Sequence, residues 1–214
     1  MFNLEVTGEK SQYELFKENE ISKELQIEIV NYAKENGVTI FSAPSHIKDL
    51  EIMEKMDLSI YKIGSDLACH IPLLKKIAKT GKPIILSTGM CSMDEIRNSV
   101  NAILDAGNEK IILMHCVSDY PTKIEEANLL AIQTLKEEFE IPVGYSDHTI
   151  GTIALIAAVS MGANVLERHF QDMRNSPGPD DALSLVKDEF GKLINSIRLI
   201  EKAKGTGQKV PTKS

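Results

Sequence analysis

The chain has 214 residues, 43% of them hydrophobic and 26% charged, which suits one ordinary globular domain with a core of its own. A formal charge of -7, an aromatic content of 5% and the absence of tryptophan exclude nucleic acid as the main partner, because a phosphate backbone would be repelled and few rings could stack on bases. No apolar run approaches the roughly 20 residues of a membrane span, and the polar stretch Met1 to Lys10 lacks the apolar segment of a secretory signal. Cys69, Cys91 and Cys116 are far apart in the sequence and odd in number, so they read as reduced thiols of a cytoplasmic protein, not as a disulfide frame or a zinc motif.

Met1 to Asn19 is polar and mixed, with no start signal for a strand. Ser22 is placed to cap a helix over 23–36, with Leu25, Ile29, Tyr32 and Ala33 on one face and Gly37 ending it. Val38 to Phe41 reads as a buried strand stopped by Ser42, Ala43 and Pro44. Helix, strand and helix then follow at 50–56, 60–63 and 72–80, with Gly81 closing the last. Ile84 to Leu86 is a strand that ends in Ser87, Thr88 and Gly89, and the helix after it, up to Ala106, carries Asp94 and Glu95 in its first turn. The strand 110–114 ends at His115, the helix 129–139 precedes the strand 141–145, and the helix 150–161 precedes the strand beginning at Asn164. A last helix spans 187–203, and residues 205–214 form a Gly- and Lys-rich, linker-like tail after a domain of residues 1–204.

This pattern is about six βα units in strict alternation with short loops. The strands are near-continuous apolar runs, as expected of a parallel sheet covered on both faces. Strict repetition favours an α/β fold of the TIM (β/α)-barrel type over a doubly wound sheet, and since such barrels normally have eight units, the expected barrel is a partial one.

The chemistry-bearing residues gather at strand ends, where α/β enzymes keep their sites. Val143 to Tyr145 runs into Ser146, Asp147, His148 and Thr149; Val165 and Leu166 run into Glu167, Arg168 and His169. Two imidazoles on neighbouring strand ends suit a metal ion, although a histidine is also commonly a satisfied core residue. His115 fits a structural or a site role equally well. Lys62 lies inside an apolar strand, either as a snorkelling edge residue or as a cation that grips a phosphate or carboxylate. Ser65, Ser87 and Ser146, with backbone N–H groups at Gly64 and Gly89, suit an anion cradle; each serine alone is also ordinary turn chemistry. Pro177, Gly178, Pro179 and Asp180 form either a rigid turn that presents Asp180 or a plain loop.

Six motifs occur in order: Lys62-Ile63-Gly64-Ser65, Gly81 to Met90, His115-Cys116 with Tyr120-Pro121-Thr122, Ser146-Asp147-His148-Thr149, Glu167-Arg168-His169-Phe170, and Pro177-Gly178-Pro179-Asp180. Together, over about residues 10 to 214, they closely resemble the sialic acid synthases, that is, N-acetylneuraminate synthase and its legionaminate and pseudaminate relatives. The resemblance implies a TIM barrel that condenses phosphoenolpyruvate with an N-acetylated hexose such as N-acetylmannosamine, giving a nine-carbon sialic acid and phosphate. It implies a divalent metal, typically manganese, at His148 and His169, which are then catalytic together with Lys62. It assigns Lys62, Ser65, Ser87 and Ser146 to the phosphate and carboxylate of phosphoenolpyruvate, and Tyr120 and Asp180 to the sugar.

The chain also departs from the family pattern. Ala43 stands where many members have Thr near the phosphate, and Ser118 stands at a substrate-binding position where many have Asn. The family's two leading strands and its C-terminal antifreeze-like domain have no counterpart in these residues. The expectation is therefore the catalytic barrel from its third strand onward, acting as a homodimer, with an inactive or split-gene portion that needs a complementing chain as the alternative. A third reading is a TIM-barrel aldolase that uses Lys62 as a Schiff-base amine.

Overall fold

The structure, a computed structural model, describes residues 11–174 and 178–211. The chain divides into two compact units, Met1–Ser118 and Asp119–Ser214.

In the first unit, helices α1 (Gln12–Glu18), α2 (Lys23–Glu35) and α3 (Ile47–Lys55) precede β1 (Tyr61–Ile63). Then α4 (Ile71–Ala78), β2 (Ile84–Ser87), α5 (Met93–Asp105) and β3 (Ile111–His115) alternate. The three strands are parallel and follow chain order, with Tyr61 beside Ile84 and Ile84 beside Ile111. One face of this sheet carries Tyr61, Ile63, Ile84, Leu86, Ile111 and Leu113, all buried. Strand alternation puts Lys62, Ile85, Ser87, Ile112 and Met114 on the other face.

Side-chain caps fix where the helices begin. Ser22 Oγ accepts the Leu25 N–H at 3.1 Å, and Ser92 pairs reciprocally with Glu95 in a capping box. Two of the five histidines serve the same purpose. His46 Nδ1 accepts the Lys48 N–H, and His70 Nδ1 accepts the Leu73 N–H, each at 3.1 Å. Buried Asn108 joins two αβ loops, donating to the Lys82 carbonyl at 2.8 Å and accepting the Lys110 N–H at 2.9 Å.

In the second unit, α6 (Ala131–Phe139), β4 (Val143–Asp147), α7 (Ile153–Ser160), β5 (Leu166–Arg168) and α8 (Lys187–Lys204) continue the alternation. β4 and β5 are parallel, with Tyr145, Ser146 and Asp147 beside Leu166, Glu167 and Arg168. The apolar helix α7 packs against α8. Residues 205–211 are exposed and carry no helix or strand.

The α/β architecture of parallel strands alternating with helices is the one expected from the sequence, but three local expectations fail. The stretch 38–41 is not a buried strand: Val38 is 60% exposed, and its neighbourhood pairs only through Ser42, whose carbonyl accepts the Lys62 N–H at 3.1 Å. Among the described residues no strand lies on its other edge, so five regular strands stand where six were expected. On α2 the inward stripe runs through Gln26, Val30 and Ala33, while Leu25, Ile29 and Tyr32 are exposed. Helix α1 occupies a stretch where no element was expected.

Candidate active site

In the second unit, three rings meet at the strand ends. The centroids of His148 and His169 lie 5.4 Å apart, with the rings edge to face. Tyr120 stacks obliquely on His148 at 4.1 Å and meets His169 edge-on at 5.8 Å. The backbone explains how residues distant in sequence reach this cluster. The Thr122 N–H donates to the His148 carbonyl at 2.9 Å, and Thr122 bridges Thr149 in parallel, which lays the Tyr120 segment along the end of β4. The Leu185 N–H donates to the His169 carbonyl at 3.0 Å, which fastens the segment carrying Asp180 to the end of β5.

Carboxylates sit behind the rings. Asp180 Oδ2 lies 3.3 Å from His169 Nδ1. Ser146 Oγ donates to Glu167 Oε1 at 2.8 Å and stands 3.4 Å from His148 Nε2. Glu167 and Ser146 share a face because their strands pair in register. Among the described residues no three His, Cys, Asp or Glu side chains converge as a ready ligand set. The arrangement offers two imidazoles, one of them backed by a carboxylate in the manner of outer-shell partners of metal-bound histidine. Such a donor set fits a divalent ion that keeps several positions open for water or substrate.

One residue along each strand, the opposite face holds a different pair. Asp147 Oδ2 accepts from Arg168 Nη1 at 2.6 Å. Asp147 Oδ1 accepts the Thr149 N–H at 3.0 Å and the Tyr145 hydroxyl at 3.2 Å. Burial pulls the guanidinium pKa of Arg168 down, and the Asp147 charge opposes that pull. Arg168 also borders a cavity of about 270 Å³ lined by Leu155, Val159, Phe190 and Leu193, and its Nε and Nη2 find no acceptor among the described residues.

In the first unit, the turn after β1 meets the loop after β2. Ser65 Oγ accepts the Gly89 N–H at 3.0 Å and lies 3.3 Å from Cys116 Sγ. A Cβ on Gly89 would stand 2.9 Å from the Cys116 carbonyl and 2.9 Å from Ser118 Oγ, so only glycine lets the backbone approach this closely. Ser87 is buried at the end of β2, and Thr88 Oγ1 donates to the Met114 carbonyl at 3.1 Å. Lys62 is half-buried in β1, on the sheet face shared by Ile85 and Ser87.

The expected site residues thus fall into two groups. Lys62, Ser65, Ser87 and Ser118 belong to the first unit; Tyr120, Ser146, His148, His169 and Asp180 belong to the second. His115 is buried at the end of β3. Pro177, the first residue of the Pro-Gly-Pro-Asp turn, lies outside the described residues. The register puts Glu167 beside Ser146 and Arg168 on the opposite face. The Asp147–Arg168 pair was not anticipated at all, although alternation from Ser146 and His148 would have placed Asp147 on the helix-covered side.

The chain is similar to known proteins in sequence and in fold. A model of the NeuB family matches residues 2–209. An uncharacterized protein of Methanocaldococcus jannaschii is 46% identical over 209 residues, covering 98% of this chain and 62% of that protein. The N,N'-diacetyllegionaminic acid synthase of Campylobacter jejuni is 38% identical over 216 residues, covering 100% of this chain and 65% of the synthase. This chain therefore spans less than two thirds of the length of these curated relatives. The N-acetylneuraminic acid synthetase of Leptospira borgpetersenii superposes with a TM-score of 0.90 at 34% identity, over 98% of this chain and 74% of that one. The parallel βα repeat is therefore that of a partial TIM-type barrel, and the chain belongs to the NeuB family.

Proposed function

We propose that this chain carries the residues of a phosphoenolpyruvate-dependent condensation with an N-acetylated amino sugar that yields a nine-carbon sialic acid and phosphate. The observation that carries the reading is the cluster of His148, His169 and Tyr120, with Asp180 behind His169 and the Ser146–Glu167 pair alongside. Named relatives that make sialic-acid-type products support it.

In this reading C3 of phosphoenolpyruvate forms the new bond to the sugar aldehyde carbon, water adds at C2, and the C2–O bond to phosphate breaks. Lys62, Ser65, Ser87 and the Gly89 N–H hold the phosphate and carboxylate oxygens, as a cation and donors suit an anion. Tyr120 packs against the sugar and keeps water from that face. Asp180 orients the His169 ring through Nδ1. Glu167 accepts a hydrogen bond from the Ser146 hydroxyl in the resting arrangement, and that carboxylate is placed to take a proton from an adjacent donor. His148 and His169 would hold a divalent ion, manganese being the metal proposed, which when bound supplies Lewis-acid polarisation of a carbonyl. Lys62 acts as a cation, so borohydride reduction with pyruvate leaves no adduct on it. The setting proposed is the cytoplasm, where phosphoenolpyruvate is made, with a second copy of the chain as partner.

The test is phosphate release from phosphoenolpyruvate in the presence of manganese, with and without N-acetylmannosamine or its diacetamido relatives. Sugar-dependent release supports the reading. Release without sugar, or condensation with none of the acetamido sugars, counts against it.

A further inference from the structure

Three cysteines that are scattered in the sequence lie close together in the first unit. Cys69 Sγ and Cys91 Sγ are 3.7 Å apart, about 1.7 Å more than the ~2.05 Å of a disulfide bond. Cys69 is exposed and Cys91 is partly exposed, so both can be reached from solution. Cys116 is buried and turned toward Ser65, which keeps it from competing. We propose that Cys69 and Cys91 form a reversible intramolecular disulfide that ties the turn after β1 to the loop after β2.

The chemistry balances with a low-molecular-weight disulfide such as oxidised glutathione as oxidant. The Cys69 thiolate attacks one sulfur of that disulfide and releases one thiol. Cys91, losing its proton, then attacks Cys69 Sγ and releases the second thiol. The two protein thiols are oxidised, and the small disulfide is reduced to two thiols. Burial, and then the hydrogen bond with Cys69, push the Cys91 thiol up to about 12, so the exposed Cys69 is the first to react.

The location gives the bond a consequence. Cys69 follows Ser65 by one turn, and Cys91 follows Gly89 by two residues, so the two sulfurs sit on the segments whose Ser65 Oγ and Gly89 N–H are joined at 3.0 Å. A disulfide holds these segments in the arrangement in which the Gly89 donor is already used by Ser65. The oxidised chain therefore binds an anion at these groups more weakly than the reduced chain. This consequence rests on the proposed function; the disulfide itself does not.

Oxidised glutathione is added to the intact chain, and its thiols are then counted and its peptides mapped by mass spectrometry without reductant. The expected result is one remaining thiol, Cys116, and a linked Cys69–Cys91 peptide pair that dithiothreitol separates. Cys116→Ser keeps the link, and Cys69→Ser and Cys91→Ser each abolish it. A mixed disulfide that stays on Cys69, a link that includes Cys116, or only links between two chains would overturn the proposal. Calorimetric titration with phosphoenolpyruvate then reads the consequence: several-fold weaker binding by the oxidised form is expected, and equal binding by both forms would refute it. Absence of binding by either form would count against the anion reading, while the peptide map alone decides whether the disulfide forms.

Discussion

Asp147 and Arg168 form an ion pair with 0% and 2% of their side chains exposed, directly across the β4–β5 register and one residue away from Ser146 and Glu167. The two strands thus carry a reactive-looking pair on one face and a sealed charged pair on the other. Removing one partner of a buried pair strands the other charge. Arg168→Met should therefore cost about 3–5 kcal/mol in urea unfolding. Asp147→Leu combined with Arg168→Met should recover most of that loss, and additive losses in a double-mutant cycle would show that the pair contributes little.

His148 and His169 are 5.4 Å apart by ring centroid, with Asp180 on the Nδ1 of one ring. His148→Ala and His169→Ala should each abolish manganese binding, read as free Mn²⁺ by electron paramagnetic resonance. Asp180→Asn keeps both rings and should weaken binding by about 10–100-fold. Unchanged binding in both histidine variants would refute the site.

Gly89 has an ordinary backbone conformation, so its cost of substitution is a matter of contact: a Cβ would lie 2.9 Å from the Cys116 carbonyl, which is backbone and cannot swing away. Gly89→Ala should destabilise the chain by about 1–3 kcal/mol and separate Gly89 N from Ser65 Oγ. Ser65→Ala leaves the backbone in place, and its loss of stability should be the smaller of the two. Urea unfolding of both variants makes the comparison.

Glu54 accepts a hydrogen bond from the Tyr61 hydroxyl and another from Lys82 Nζ at 2.9 Å. These contacts, Tyr61 first, hold its carboxyl below the ordinary value of 4.5. The charged form is the one favoured in the fold. Its contribution is complete above that ordinary value and is lost as the pH falls through the lower folded value. Tyr61→Phe should therefore make the chain less stable at neutral pH and reduce the further loss on acidification to pH about 3, as followed by urea midpoints. An acid limb of unchanged depth would show that Glu54 does not contribute to it.

Much of the architecture was legible because it depends on local chemistry. Ser22 marked a helix start because its hydroxyl satisfies an N–H group within the same turn. The strands at 61–63, 84–87, 111–115 and 143–147 were legible from the largely apolar stretches 60–63, 84–86, 110–114 and 141–145. The stretch 38–41 misled because it has the same composition as a buried strand, while burial depends on what lies against it. Leu25, Ile29 and Tyr32 misled for a related reason: a helix can show two partly apolar stripes, and the neighbour decides which turns inward.

By itself, the sequence determined the βα alternation, the placing of His148 and His169 at strand ends, and membership of the NeuB family through motifs in order, all of which follow from short-range periodicity and residue identity. Only the tertiary structure decided which residues meet: Tyr120 with both histidines, Asp180 behind His169, Glu167 beside Ser146, Arg168 sealed against Asp147, and Cys69 within 3.7 Å of Cys91. These pairings depend on strand register and on loops that cross the strand ends. A shift of one residue in register would turn each strand side chain to the other face, and which residues of another segment it then meets is decided only by the packed fold.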